Sequence, residues 1–320
     1  MILVTGASGF IGGRLVRRLQ SLGLPCRLML RSSQGRAGEV IADLDDQAAL
    51  QRACEGVETV FHCAGHAHAF SSRGSDEDLH WRVNFEGSKR LGAVAKAAGV
   101  RRFVFLSSVK AMSEPGERCL DESDQGRPDS AYGCAKRAAE EALLSLSGAD
   151  SMQVCCLRPV MVYGAGGRGN LERMAAMVRR GLFPPLPETG NRRSLVHVED
   201  LIDAMWRVAS EPLTQGKTYI VTGPDTPSGR QLYDALRQAM AMPAQAWAAP
   251  VSLLYAAARL GDAIGGLRGR RFVFDREVLS RLLDSACYSG ELIGRELNWH
   301  ARYGLAQGLK EMLGVDQTHI

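Results

Sequence analysis

The sequence predicts an α/β protein: a doubly wound parallel sheet with a smaller C-terminal lobe. Three observations carry that reading. Short apolar runs alternate with stretches of helical periodicity through residues 1–160, which implies right-handed parallel crossovers. The first run, Ile2–Thr5, leads directly into a glycine turn and then into apolar residues at helical spacing. The later runs end in small or polar residues, at the carboxyl strand ends where ligands of such sheets sit.

The glycine turn comes first. Gly6, Gly9 and Gly12 stand in a G-x-x-G-x-x-G spacing around Ala7, Ser8, Phe10 and Ile11. Glycines let a backbone turn sharply and approach a pyrophosphate, and the following helix offers it unpaired N–H groups and a positive dipole end. Residues 26–30 form a second buried strand that ends at Arg31, nineteen positions past Gly12. An acidic residue about twenty positions beyond the glycines would grip the ribose hydroxyls of NAD(H). A guanidinium instead pairs with a 2′-phosphate, so NADP(H) is favoured and NAD(H) is the alternative. The plain alternative for Arg31 is a solvated strand end.

Residues 40–44 make a short strand whose Asp43-Leu44 end reaches toward an adenine. Residues 57–63 make a fourth strand that runs into Cys63-Ala64-Gly65, small enough to let a cofactor approach. His66 and His68 follow on a polar loop without a third ligand at metal spacing, so no metal is expected. Residues 79–98 read as one long helix containing Asn84, and residues 102–106 as a fifth strand closed by Ser107-Ser108. Tyr132 and Lys136 open the next helix at i and i+4, on one face. Residues 154–157 are the next strand, closed by Arg158-Pro159.

The chemistry follows from the residue types. An unperturbed tyrosine titrates near ~10, and a neighbouring ammonium favours its phenolate. Such a tyrosine exchanges a proton with a sugar hydroxyl or carbonyl while hydride moves to or from a nicotinamide ring, and Ser108 holds the same oxygen.

Composition sets limits. The chain has 320 residues, 45% of them apolar, and a net charge of +4, which supports a substantial core and argues against a dedicated nucleic-acid binder. Met1 is followed at once by a strand rather than by a basic segment and an apolar signal, so a cytoplasmic location is expected. Residues 247–267 are the longest apolar stretch. Pro250, Arg259 and Asp262 make them a poor membrane span and a reasonable buried or interface helix, so no transmembrane segment is expected. The eight cysteines show no C-x-x-C pattern and read as reduced structural thiols, with Cys155 and Cys156 facing opposite ways on a strand.

Taken together, these motifs resemble the extended short-chain dehydrogenase/reductases of the NAD-dependent epimerase/dehydratase branch, which act on nucleotide sugars. The resemblance spans nearly the whole chain. Residues 5–12 match the cofactor loop, Asp43-Leu44 the adenine contact and Asn84 the helix asparagine. Ser107-Ser108, Tyr132/Lys136 and Arg158-Pro159 match the active-site framework. Val162-Tyr163-Gly164 with Gly169-Asn170, residues 193–200 (R-x-x-V-H-V-x-D) and Leu297-Asn298-Trp299 match later family segments, the last where the family usually has Leu-Gly-Trp.

The resemblance implies a Rossmann-type dinucleotide-binding domain at 1–164, to which 193–223 crosses back, and a nucleotide-sugar lobe built mainly from 165–320. It implies catalysis by Ser108, Tyr132 and Lys136. The cofactor would be held by Gly6, Ser8, Gly9, Phe10, Ile11, Gly12, Arg31, Asp43, Leu44, Cys63, Ala64, Gly65, Asn84 and Pro159, together with Tyr132 and Lys136. A homodimer is a further expectation from resemblance alone.

Two departures from the family point toward a reductase. Residues 107–114 follow an S-S-x-K-x-x-x-E variant associated with bacterial polysaccharide enzymes, including O-antigen enzymes, that reduce 4-keto-sugars such as UDP-4-keto-N-acetylquinovosamine. Arg31 is the other, since a reductase draws on exchangeable NADPH while an epimerase keeps its cofactor. The expected partner is a nucleotide-diphosphate sugar, met by Ser107, Asn170, Arg193 and, more weakly, Arg281. For Arg193 a domain-bridging ion pair is the alternative. The Arg268/Arg270/Arg271 cluster reads as a solvated turn, with anionic lipid or a partner as the alternative, and residues 184–187 (Pro-Pro-Leu-Pro) as a stiff loop beside the sugar pocket or an ordinary linker. The competing functions are a UDP-hexose 4-epimerase with tightly bound NAD and a regulator that binds NADP(H) without turnover.

Overall fold

The computed structural model describes residues 1–66, 75–148, 151–167, 169–268 and 274–314. The N-terminal half runs β1 (Ile2–Thr5), α1 (Phe10–Ser21), β2 (Cys26–Leu30), β3 (Glu39–Ile41), α2 (Gln47–Cys54), β4 (Thr59–His62) and α3 (Ser75–His80). A π-helical turn (Trp81–Glu86) follows, and then α4 (Gly87–Ala97), β5 (Arg102–Leu106), β6 (Cys119–Leu120), α5 (Ala131–Leu144) and β7 (Gln153–Pro159). The remainder is β8 (Met161–Tyr163), α6 (Asn170–Arg179), β9 (Leu195–His197), α7 (Val198–Ser210), β10 (Lys217–Val221), α8 (Gly229–Ala239), α9 (Val251–Arg268) and α10 (Arg276–Leu283). It closes with β11 (Cys287–Tyr288), α11 (Glu291–Leu297) and α12 (Leu305–Leu313).

Among the described residues a seven-stranded parallel sheet has the order β10-β7-β5-β4-β1-β2-β3. The order reverses between β1 and β4, so their carboxyl ends diverge and open a crevice there. The strands are continuous apolar runs because both faces are covered. One face packs on α1 and α7 through Leu15, Leu19, Leu201 and Met205, and the other on α2 and α4 through Leu50, Leu91 and Val94. A third cluster, around Leu171, Tyr233, Leu236 and Leu279, is the core of the smaller lobe. Leu186 of the proline-rich loop is buried in that lobe core, and Pro185 accepts a backbone bond from Ala249.

Several expectations are corrected. Residues 79–98 are not one α-helix, because the π turn interrupts them. The third strand ends at Ile41, which leaves Asp43 and Leu44 on the loop beyond it. Cys119 and Cys287 pair in register between β6 and β11 and form a disulfide, contrary to the expectation of reduced thiols. Cys155 and Cys156 do face opposite sides, one in each core layer. The apolar stretch near residue 250 is helical but mostly exposed rather than buried. His68, Arg270 and Arg271 lie outside the described residues.

Arg158 departs from the active-site framework. Its Nε and Nη2 donate to the two carboxylate oxygens of Glu140 at 2.9 and 2.6 Å, with both side chains buried. A buried bidentate pair is costly to break because the surviving charge stays desolvated. Arg158→Ala is therefore expected to destabilise the fold by about 3–5 kcal/mol in urea denaturation. A loss below about 1 kcal/mol, the range of an exposed pair, would contradict this burial.

Candidate active site

The glycine loop is built at the crevice. Gly6 has φ +65, and a Cβ there would lie 2.8 Å from the Ala64 backbone nitrogen. A Cβ on Gly12 would lie 2.3 Å from the Gly6 carbonyl oxygen. Both positions therefore need glycine for the loop to close against α1 and β4. Gly9 caps α1 without a side-chain hydrogen bond, so the amides of the first turn are free to meet an anion. Ser8 and Gly9 are exposed at this rim, while Phe10 and Ile11 are half-buried against the core. These are the features a pyrophosphate group needs.

The adenosine side is organised by the loop after β2. The Glu39 carboxylate accepts from the backbone amides of Gln34 and Arg36 and from the Ser33 hydroxyl. Those bonds outweigh its desolvation and hold it below the usual carboxylate range. Arg31 is exposed, and Arg36 Nη1 lies 3.4 Å from the Ala7 carbonyl oxygen in the glycine loop. Arg36 was not singled out from the sequence; only the tight turn that Glu39 organises carries it back to the glycines. Asp43 is exposed and accepts from the Asp45 amide. Leu44 turns its side chain into the core and its carbonyl accepts from Arg90 Nη1 at 2.6 Å, so its side chain is not offered to a cofactor.

The opposite wall is Cys63, Ala64 and Gly65. The Ala64 amide donates to Thr5 Oγ1, and Thr5 continues through His62 to Ser88 in a buried chain with steps of 2.7 and 2.9 Å. Burial and the nearby Lys136 charge lower His62 to about 3, so it is neutral at ordinary pH. Burial pushes the Cys63 thiol up to about 12, which makes it inert rather than reactive. Asn84 accepts from the His66 amide at 2.8 Å and donates to the His66 carbonyl at 2.9 Å. It therefore shapes this wall by pinning the backbone at His66. Pro159, at the end of β7, is buried beside Val221 of β10.

The structure brings Ser108, Tyr132 and Lys136 together. Gly133 explains how: a Cβ there would lie 2.1 Å from the Lys110 carbonyl oxygen, so α5 presses directly on the turn at Val109–Ala111. That approach brings the Tyr132 phenol near enough to the Ser108 hydroxyl for the two to interact. Burial raises Tyr132, and the Ser108 hydroxyl opposes the shift. His80 stands edge-on to the Tyr132 ring, with centroids 5.5 Å apart. Lys136 Nζ donates to the Leu106 carbonyl at 2.9 Å and lies 4.7 Å from the Phe105 ring centroid. Desolvation lowers Lys136 to about 8, opposed chiefly by the Glu140 charge. Ser107 Oγ is buried with no hydrogen-bond partner among the described residues. An unpaired buried hydroxyl beside these groups suits a ligand oxygen.

The expected substrate residues divide. Arg193 Nη1 donates to the Asp284 carbonyl at 2.9 Å. Burial lowers Arg193, Asp284 opposes that, and Arg281 and Glu114 are close enough to act on its charge. Arg281 is also paired with Glu277. Glu114 in turn pairs with Lys110, two residues beyond Ser108, so the arginine cluster adjoins the segment that carries Ser108. Asn170 stands exposed in the first turn of α6 and is not part of this cluster. No group of His, Cys, Asp or Glu among the described residues could hold a metal ion.

A glycine cradle at the reversal of a parallel sheet, with a Ser–Tyr–Lys set at the neighbouring strand end, defines the class of NAD(P)-dependent short-chain dehydrogenase/reductase enzymes. The profile of the NAD dependent epimerase/dehydratase family matches residues 2–223, and the chain belongs to that family. It is 28% identical to a UDP-glucose 4-epimerase of Vibrio cholerae over 97% of this chain and 93% of that protein. The fold matches MoeE5 in complex with UDP-glucose and NAD, with TM-score 0.77 and 24% identity over 99% of this chain and 98% of that one. It also matches the UDP-glucose 4-epimerase of Thermotoga maritima with UDP-glucose, with TM-score 0.75 and 20% identity over 99% and 98%.

The titration of Lys136 predicts a pH limb. Its protonated form gives way above about 8, whereas burial holds Tyr132 above the ordinary tyrosine range. Where turnover needs the Lys136 charge, kcat/KM is expected to fall as pH rises through about 8. A profile flat to pH ~10 would assign no role to the Lys136 charge.

Proposed function

We propose that the chain is an NADPH-dependent reductase of the 4-keto group of a nucleotide-linked hexose. The observation that carries this reading is the pair of guanidinium groups at the adenosine end. Arg31 stands open at the end of β2, Arg36 is drawn to the glycine loop, and the neighbouring acid, Glu39, is consumed in holding the turn. That arrangement favours a 2′-phosphate over free ribose hydroxyls. A phosphate-tagged cofactor belongs to the reductive pool and exchanges at each turnover, as a reductase requires.

NADPH, when bound, supplies a hydride. The chain's own residues do the rest. Gly6 to Gly12 and the first turn of α1 hold the pyrophosphate. The Ser108 hydroxyl donates to the ketone oxygen, and the Tyr132 phenol gives that oxygen a proton as it becomes an alkoxide. Lys136 holds a ribose hydroxyl and keeps a positive charge beside the phenol. Ser107 offers its unpaired hydroxyl to the sugar. Arg193 and Arg281 face the diphosphate, with Lys110 and Glu114 joining that site to Ser108.

A second reading has its own support. The Vibrio cholerae relative, similar over nearly the full length of both chains, is a UDP-glucose 4-epimerase. The same three residues would serve an epimerase that keeps NAD bound and returns the hydride to the same sugar.

Purified protein separates the two readings. The reductase is expected to oxidise NADPH when a UDP-4-keto-6-deoxy-sugar is supplied and to carry little cofactor through purification. Stoichiometric bound NAD, with sugar interconversion in the absence of NADPH, would establish the epimerase instead. Tyr132→Phe is expected to cut kcat by ~10²-fold or more with cofactor affinity nearly unchanged. Arg31→Asp and Arg36→Ala are each expected to weaken NADPH binding ~10-fold or more relative to NADH. An unchanged NADPH/NADH preference in both variants would refute the role given to this end of the site.

A further inference from the structure

Helix α9 inverts the usual layout of a surface helix. Its buried residues are Leu254, Ala258, Gly261 and Gly265, mostly small side chains, which pack toward α10 and the lobe core. Its large apolar residues face out: Leu253 is 61% exposed, Leu260 62% and Leu267 89%. These three recur every seven residues, so at 3.6 residues per turn they lie within about 40° of one another. Ala256 and Ala263 are exposed between them and complete an apolar stripe along the helix. A helix that covers a core alone would put its leucines inside and its polar residues outside.

The flanks of the stripe are basic. Arg259 and Arg268 are exposed on its two sides and make no ion pair among the described residues. The helix's one acid, Asp262, is half-buried and paired with Arg276 of α10. Two aromatic groups stand on the same element or just before it: Tyr255 is 44% exposed and Trp247 58%. Leucines on one face, unpaired arginines beside them and aromatic rings near the end form the composition of a helix lying in a bilayer interface. At 18 residues α9 is about 27 Å long, and no helix among the described residues is long and apolar enough to cross a membrane.

A second copy of this chain is the competing occupant, and charge argues against it. Arg259 sits at the midpoint of α9, so a two-fold antiparallel pair of these helices would bring it against its own mate without a free acid between them. An anionic surface meets the same arginines favourably.

We infer that α9 is a membrane-docking helix, laying its Leu253/Leu260/Leu267 stripe onto an anionic lipid surface with Arg259 and Arg268 at the headgroups. The full chain, sedimented with phosphatidylcholine vesicles with and without phosphatidylglycerol, tests this. Binding is expected to be at least ~10-fold stronger on the anionic vesicles and to fall at high salt. The triple variant Leu253→Glu/Leu260→Glu/Leu267→Glu and, separately, the pair Arg259→Gln/Arg268→Gln should each lose most of that binding. Circular dichroism and dinucleotide binding check that both variants are folded. If the triple variant misfolds, the arginine pair still decides, because its substitutions are exposed and polar. Equal binding to neutral and anionic vesicles, or wild-type binding by either folded variant, overturns the inference. So does a solution dimer that the triple variant dissociates while vesicle binding is absent, since a second copy would then cover the stripe.

Discussion

The site depends on a buried ammonium. Lys136 lies under the end of β5, bonded to the Leu106 carbonyl and beside the Phe105 ring, and burial lowers its pKa to about 8. A desolvated lysine keeps its charge only where neighbours compensate. Glu140, one turn further along α5, is the largest such neighbour, and it is itself held in a buried pair by Arg158 of β7. The Lys136 charge is thus balanced by a buried carboxylate and, behind it, a buried guanidinium. The family's strand-end arginine keeps its position here, but it serves the site at second hand.

Much of this was legible in the sequence because local chemistry dictated it. The glycine spacing, the strand boundaries at residues 26–30 and 102–106, and the Tyr132–Lys136 face follow from short-range geometry, and the structure reproduces them. Asn298, where the family usually carries glycine, has φ +50, and asparagine is among the few other residues that tolerate the left-handed region. Residues that act across the fold were not legible. Arg36 reaches the glycine loop only because Glu39 folds the intervening turn. The Cys119–Cys287 pair is separated by 168 residues and meets only because β6 and β11 align side by side. The roles of Glu140 and Arg158 likewise required β7 to lie against α5. The exposure of α9 was hidden for another reason. Apolar content announces that a helix needs a partner without saying whether the chain itself provides one.

The two lobes are joined by polar contacts that share acceptors. Arg14, on α1, donates to the Ala165 carbonyl and pairs with Glu199 and Glu311. Glu311, on α12, also accepts from the Ala165 amide and meets His197 Nε2 at 3.1 Å. The returning R-x-x-V-H-V-x-D segment therefore holds the chain's end as well as its middle: Asp200 accepts from the amides of Arg302 and Tyr303 at 2.9 and 3.0 Å. Helix α1 thus presents its first turn to the glycine loop and its apolar side chains to the sheet, while Arg14 reaches Ala165 and Glu311.

The same economy explains why α9 can leave its leucines outside. The lobe core is completed by α6, α8 and α10, with Leu171, Leu232, Tyr233, Leu236 and Leu279 almost fully buried. What α9 adds to that core is a line of small residues and Leu254, enough to seat the helix and too little to account for its apolar content. Exposed leucines at heptad spacing cost solubility, and nothing in the packing of the lobe's described residues requires them. The small residues toward the protein belong to the fold. The large ones away from it need a partner that the lobe core does not supply, and the flanking arginines specify that partner's charge.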